Sequence, residues 1–449
     1  DVDLKIYPYE TATERLNLDL NSGDYADVIG GWTLSDNAIL TYGVNQGVFI
    51  PLEDYFEKYC PNISAILDLP GVREKMTAPD GHIYTIPYVC ADSTVGYSPY
   101  INTKWLENVG MSMPTTTDEF EAVLKAFKEQ DANGNGDASD EIPFSTDPNN
   151  KHIEAMAGYF GLPMNKLGIA IQNEKVVYGG VSDTYREFLS WFHKLYAEGL
   201  VDVELYTQDS STWEGKGNQD LYGVSIAYGS NEFTGIPAAE ERGDFDSMPV
   251  LNTDKDGIWL RDTEGFSVYR TQAVITNKAE HPEIICRWFD NAFALENGIG
   301  CNRGPVGVIV NKEDDGYHAI DTTTLSEEDQ EKYSWGNLWP QSLPKYLPAD
   351  FEFVEEHPMY DEKKATEEAY EANLTKEIIP SYWIDLDKID TFSDTNTAIK
   401  DFFEQQQAQF VCGELDIDND ADWQAYVDGM YSLGLEDWVA TQGIEEIAK

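Results

Sequence analysis

No stretch of the 449-residue chain approaches the roughly 20 consecutive apolar residues of a membrane span. No charged-then-apolar segment of signal type opens it either. The first residues, DVDLKIYPYE, read as a strand in mid-fold, so any targeting segment is expected upstream of them. Positive charge is scarce: 30 Lys and Arg stand against 82 Asp and Glu, a formal net charge of −52. Such a chain repels phosphate backbones and anionic headgroups, which disfavours nucleic acid and membrane surfaces as partners. Most of these carboxylates read as a solvated, solubilising surface. Cysteine is also sparse. Cys60, Cys90, Cys286, Cys301 and Cys412 are odd in number and widely spaced, without a C-x-x-C pair, and indicate neither a zinc site nor a disulfide framework. The six histidines are scattered, and His193 falls within an amphipathic helix, packed or solvated rather than a ligand. There is no G-x-S-x-G, H-E-x-x-H, phosphate loop or helix-opening G-x-G-x-x-G, so the common catalytic constellations are missing. Internal repeats, low-complexity tracts and long Pro/Gly/Ser linkers are missing too, which argues against domains strung as beads.

What the chain does have is length and an apolar fraction of 41%, enough for two compact lobes. Short apolar strands alternate with amphipathic helices, the pattern of an α/β fold with parallel-type sheets flanked by helices. From Thr116, TDEFEAVLKAFKEQ places Phe120, Val123, Leu124 and Phe127 on one helical face, and Thr116 with Glu119 makes a capping box. Residues 182–199 repeat the period with Tyr185, Phe188, Leu189, Phe192, Leu195 and Tyr196, and Gly199 supplies the stop. A third helix is expected from Pro282 to Gly298, burying Ile284, Ile285, Trp288, Phe289 and Phe293. Near the end, Trp423, Tyr426, Val427, Met430 and Tyr431 share helical spacing as a core stripe. Two extended runs without helical period, YTIPYVCADSTVGYSPYINTKW and SVYRTQAVIT, read as crossings between lobes.

In order along the chain stand LNSGDYADVIGGW, GVFIPLEDYF, PDGHIYTIPY, INTKWLENVGMSMPTTTDEFEAVLKAFKEQDANGNGDASDEIPFS, FHKLYAEGLVDVEL, TNKAEHPEIICRWFD and FVCGELDIDNDADWQAYVDGMYSLGLEDW. Through these seven markers the sequence resembles the extracellular solute-binding proteins of bacterial ABC importers, in the family 1-like, oligosaccharide-binding lipoprotein group that includes alginate-binding proteins. Ala26 replaces the family's usual proline, and the family's first strand and lipid-bearing cysteine are not in the sequence shown. The resemblance implies a periplasmic-binding-protein-like α/β fold of two lobes with mixed or parallel sheets flanked by helices and a multi-strand hinge. It places the first lobe at residues 1–97 and 275–330 and the second at 98–274 and 331–449, with an oligosaccharide captured in the cleft between them. It further implies a monomer that catalyses nothing, held at the extracellular cell surface by a lipid, with a membrane permease as partner.

Sugar recognition needs aromatic faces against pyranose C–H faces, edged by groups that pair with hydroxyls. Trp32, Tyr88, Trp213, Tyr228, Trp259, Trp335 and Trp339 lie in Gly-, Pro-, Ser- or Asn-rich loops outside the helical stripes. Trp32, after a strand at GGW, and Tyr228, heading AYGSNEF after the strand LYGVSIA, lead this set; Trp335 and Trp339 also read as packing for a connection between lobes. Asp92, Glu232 and Arg303 are the candidate polar contacts, though each reads equally well as an ordinary surface charge.

The sharpest local motif is DANGNGDASDE, residues 131–141. Asp131, Asn133 and Asn135 at alternate positions, with Gly134 and Gly136 between and after, suit a tight loop whose oxygens converge on one hard cation such as calcium. An EF-hand would place a bidentate glutamate at its twelfth position, where Ile142 stands, so Asp140 and Glu141 must close the site earlier. In the resembling family a loop of similar spacing holds calcium, commonly with one residue fewer, which leaves the roles of Asp137 and Asp140 open. A metal-free Asn/Asp/Gly turn is the plain alternative.

Two other readings compete. A secreted, calcium-stabilised glycoside hydrolase or lyase also combines aromatics with carboxylates, but no succession of eight strand–helix units is present. A cohesin-binding module would carry duplicated calcium loops, whereas this loop occurs once. The acidic balance favours neutral oligosaccharides over polyanionic glycans.

Overall fold

The computed structural model describes residues 2–148, 152–235, 243–333, 343–348, 350–354 and 358–448. The chain forms two compact units, one of residues 1–92, 265–356 and 381–390, the other of residues 93–264, 357–380 and 391–449. The sequence expectation drew its boundaries at 97/98, 274/275 and 330/331. The first crossing, at 92/93, falls inside the run 84–105; the second, at 264/265, precedes the run 267–276 by two residues.

The first unit is built on a mixed four-stranded sheet. Its long strand Phe266–Ile275 lies between the antiparallel strands Val28–Gly30 and Thr85–Ala91, and Lys345–Tyr346 adds to the latter in parallel. Register against Thr85–Ala91 slips between Tyr269 and Ala273, a bulge that displaces Arg270 from the regular ladder. Phe56, Ile63, Ile86, Val89, Ile275, Phe289 and their neighbours form the core beneath. The opening residues are not a strand. Residues 2–8 are irregular, and a helix follows at Tyr9–Ser22, closed by Gly23 in the left-handed region.

The single helix expected over 282–298 is broken. Pro282–Asp290 ends in a 3₁₀ turn at Asn291–Phe293, and a second helix runs Leu295–Arg303. Before the turn the first helix buries the face of Cys286 and Phe289, which leaves Ile284 and Trp288 exposed, contrary to their expected burial; Phe293, in the turn itself, is buried. Asp290 fixes the break by accepting from Ile63 N–H and the Asn62 amide.

The second unit also has a mixed four-stranded sheet, in the order Ile142–Thr146, Tyr222–Ala227, Ser98–Asn102, Phe245–Ser247; only the first pair is parallel. Phe120, Val123, Leu124 and Phe127 of helix Thr117–Glu129, and Tyr185, Phe188, Leu189, Phe192 and Leu195 of helix Asp183–Ala197, are buried as their spacing predicts. Thr116 Oγ1 caps Glu119 N–H, and the Glu119 carboxylate returns to accept from Thr115 N–H and Oγ1. Trp423, Tyr426 and Met430 join the core, whereas Tyr431 turns outward.

Candidate functional site

In the first unit, Trp32 occupies the turn directly after strand Val28–Gly30 and is 45% exposed. Its ring meets Tyr269 edge-on at 5.5 Å and 86°, and Tyr269 stacks on Tyr88 at 5.5 Å and 22°. The Tyr269 hydroxyl donates to Asp92 Oδ2 at 2.5 Å, so a carboxylate edges this aromatic step. Tyr88 is almost buried. Its hydroxyl donates to Asn302 Oδ1 at 2.9 Å, and Lys345 Nζ lies 4.4 Å from its ring centroid. Burial holds the Lys345 ammonium down to about 8, and half-buried Arg303 beside it acts in the same direction. The bulge sends Arg270 to a bidentate pairing with Asp36, at 2.8 and 2.5 Å, while its guanidinium lies 4.1 Å from the Trp383 ring centroid.

In the second unit, Tyr228 follows strand Tyr222–Ala227 and is 37% exposed. Lys363, from helix Pro358–Tyr370, places its ammonium 4.0 Å from the Tyr228 ring centroid and donates to the Tyr228 carbonyl at 2.7 Å. Tyr97 meets Tyr228 edge-on at 6.1 Å and stacks on His152 at 4.0 Å. Glu232 accepts the Tyr228 N–H at 2.9 Å. Desolvation pushes the Glu232 carboxyl up to about 7. Desolvation also holds Lys363 down to about 8, although Asp262, Glu232, Glu367 and Glu362 favour its charged form. It holds His152 down to about 3, so that imidazole is neutral beneath Tyr97.

The loop 131–141 lies within the second unit, between helix Thr117–Glu129 and strand Ile142–Thr146. Gly134 and Gly136 take positive φ of 75° and 94°, which lets the chain curl tightly. Asp131 accepts Gly136 N–H, Asn133 accepts Asn135 N–H, and Asn135 accepts Asp137 N–H. The amide nitrogens of Asn133 and Asn135 both donate to Asp140, at 3.2 and 2.7 Å. Glu141 Oε1 accepts Ala132 N–H, whereas its Oε2 is buried without a hydrogen-bond partner among the described residues. An all-oxygen set with one orphaned carboxylate oxygen fits a hard cation, provided the two amides turn from Asp140. The loop carboxylates are not gathered into a tight cluster. Among the described residues, the three acidic or histidine side chains with ligand atoms within 4.8 Å of one another are Glu313, Asp315 and His318, on a surface hairpin of the first unit.

No family model matches the chain. It is 34% identical over 305 residues to the fructooligosaccharide ABC transporter substrate-binding protein FusA of Streptococcus pneumoniae serotype 4, covering 66% of this chain and 55% of FusA. It is 29% identical over 255 residues to lipoprotein LipO of Bacillus subtilis strain 168, covering 55% and 47%. The chain thus spans about half the length of these curated relatives. It superposes on FusA in complex with kestose with a TM-score of 0.83 and 27% identity, over 99% of this chain and 91% of that one. A FusA EF-hand mutant in complex with fructo-nystose gives 0.82 and 26%, over 98% and 91%. The chain is a homologue of ABC-transporter substrate-binding proteins. Its fold is that of the periplasmic binding proteins, and its homologues are binding proteins, not enzymes.

In this binding-protein homologue the residues singled out from sequence fall into distinct groups. Trp32 and Tyr228 are exposed aromatics, with Asp92 and Glu232 hydrogen-bonded to their respective surroundings. Tyr88 is buried with its ring stacked on Tyr269, and Arg303 is half-buried beside Lys345. Trp213 and Trp259 are core residues, a correction to their reading as loop aromatics. Trp213 packs against Phe233 with its indole N–H on Ser225, and Trp259 packs between Tyr159 and Tyr370. Trp335 and Trp339 lie outside the described residues. Tyr97, His152, Tyr269, Arg270, Lys363 and Trp383 were missed. Tyr269 and Arg270 are in the run 267–276, whose aperiodic Tyr-Arg-Thr-Gln was the available signal of a bulge. Lys363 comes from a helix more than a hundred residues from its partner, and no local pattern marks it.

Proposed function

We propose that this chain is the ligand-capturing component of a carbohydrate ABC importer. It binds a neutral oligosaccharide and passes it to a membrane permease from the extracellular cell surface, where a lipid anchors it. The observation that carries the reading is that each unit presents an exposed aromatic with a carboxylate beside it: Trp32 with Tyr269 and Asp92, and Tyr228 with Tyr97 and Glu232. Such a face takes the C–H side of a sugar ring, while the carboxylate accepts from hydroxyls at its rim. The net charge of −52 speaks against polyanionic glycans, and FusA's fructooligosaccharides are the first candidates to try. Among the described residues no helix is long and apolar enough to cross a membrane, and the surface location rests on the homology instead. Calcium is assigned to the loop 131–141, held by Asp131, Asn133, Asn135, Glu141 and the Asp137–Asp140 segment; the orphaned Glu141 oxygen supports it, as does the EF-hand of FusA.

The test is calorimetric titration against a panel of neutral oligosaccharides, with chromatography of the recovered ligand. Binding at about micromolar Kd, roughly −8 kcal/mol, with the sugar returned intact is the expected result. Turnover of the bound sugar, or silence across a broad panel, overturns it.

A further inference from the structure

Two of the five cysteines are brought together in the first unit. Cys60 is the joint between helix Glu53–Tyr59 and helix Pro61–Leu67, and Cys286 lies on helix Pro282–Asp290. One turn beyond Cys286, Asp290 accepts from Ile63 N–H at 2.8 Å and from the Asn62 amide at 2.9 Å, pinning this helix against the joint. Both thiols are fully buried in one core with Phe56, Ile63 and Phe289, and Cys60 is the neighbouring group that acts most strongly on the Cys286 thiol. We propose that Cys60 and Cys286 are a disulfide site, oxidised when the exported chain folds in the presence of an external disulfide.

The exchange balances in two steps. One protein thiol, as thiolate, attacks the external disulfide and releases one thiol. The second protein thiol then displaces the other, so that two electrons and two protons pass from the cysteine pair to the oxidant. Timing follows from burial. The interaction with Cys60 and desolvation hold the Cys286 thiol well above its ordinary range, and both sulfurs are buried away from any external oxidant, so the bridge forms before the helix closes over it. The bridge ties together residues 226 apart in sequence, both within one unit, and so constrains the unfolded chain strongly.

The physiological setting rests on the export proposed above, but the chemistry is tested in vitro. In a Cys412→Ser background, which removes the exposed thiol, the protein is refolded with an oxidised/reduced glutathione mixture. Thiols are then counted after denaturation, and a non-reduced digest is analysed by mass spectrometry. Two titratable thiols and a Cys60–Cys286 linked peptide are expected. The melting temperature should be higher than that of the reduced form by a few degrees, and this redox response should vanish in Cys60→Ser and in Cys286→Ser. Four free thiols after refolding, or linkage through other cysteines, overturns the proposal. Oligosaccharide titration of the same oxidised and reduced samples separates failure of the bridge from failure of the binding reading.

Discussion

The Lys363 ammonium lies 4.0 Å from the centroid of the Tyr228 ring and hydrogen-bonds to that residue's own carbonyl at 2.7 Å. One side chain thus fixes both the ring and the backbone of an exposed aromatic, while Glu232 holds the Tyr228 N–H. Pre-ordering the ring lowers the entropic cost of stacking a sugar on it. Replacing Tyr228 by Ala should weaken oligosaccharide binding at least tenfold, about 1.4 kcal/mol, with an unchanged circular-dichroism spectrum. Lys363→Met should weaken it by a smaller factor. Unaltered affinity in both variants removes this surface from the binding site.

Trp32 and Trp213 make a controlled contrast, since one indole is 45% exposed and the other 3%. Trp32→Ala should cost at least a tenfold loss of affinity and leave thermal stability nearly untouched. Trp213→Ala empties a core site and should cost about 3–5 kcal/mol of stability. Melting curves and titrations of the two variants distinguish these outcomes.

Glu232 gives the protein a pH signature. Desolvation pushes its carboxyl from an unfolded value of 4.5 up to about 7; Asp147 and Glu214 push the same way, against the Tyr228 N–H and Lys363. Between these values the unfolded chain has released a proton that the folded chain keeps, so this group's contribution to stability falls as pH rises and is level above about 7. Glu232→Gln, neutral throughout, should melt with the parent at about pH 4 and progressively above it up to about pH 7.5. A constant difference across that range contradicts the assignment.

Calcium should act on stability and not on capture. Its removal by chelator should lower the melting temperature by a few degrees, because Asp131, Asp137, Asp140 and Glu141 then repel one another in one short loop. Asp131→Ala should reproduce the loss and abolish any further response to chelator. Sugar affinity measured well below the melting point should stay constant, since the residues that edge Tyr228 come from other segments: residues 97, 152, 232 and 363. Loss of sugar binding on chelation without a change in melting temperature overturns this division of roles.

Periodic features were legible in the chain itself. Phe120, Val123, Leu124 and Phe127, like Tyr185, Phe188, Leu189 and Phe192, bury one face of a regular helix, because 3.6-residue spacing and burial are the same constraint seen twice. The tight curl of the loop 131–141 was legible because glycines and short oxygen-bearing side chains alternate within one turn of chain. Exposure of Trp32 and Tyr228 followed from their positions just past strand ends. Tertiary structure decided the remainder. Trp213 and Trp259 share the loop-like context of Trp32, yet their rings are enclosed by Phe233, Tyr159 and Tyr370, residues that no local rule places beside them. The helix from Pro282 breaks because Asp290 is drawn to Asn62 and Ile63, more than two hundred residues away. Lys363 reaches Tyr228, and Cys286 reaches Cys60, only after the chain has passed between its units and returned. A local pattern specifies which face of an element seeks burial, but the partner that meets it is chosen by long-range packing, which leaves no period in the sequence.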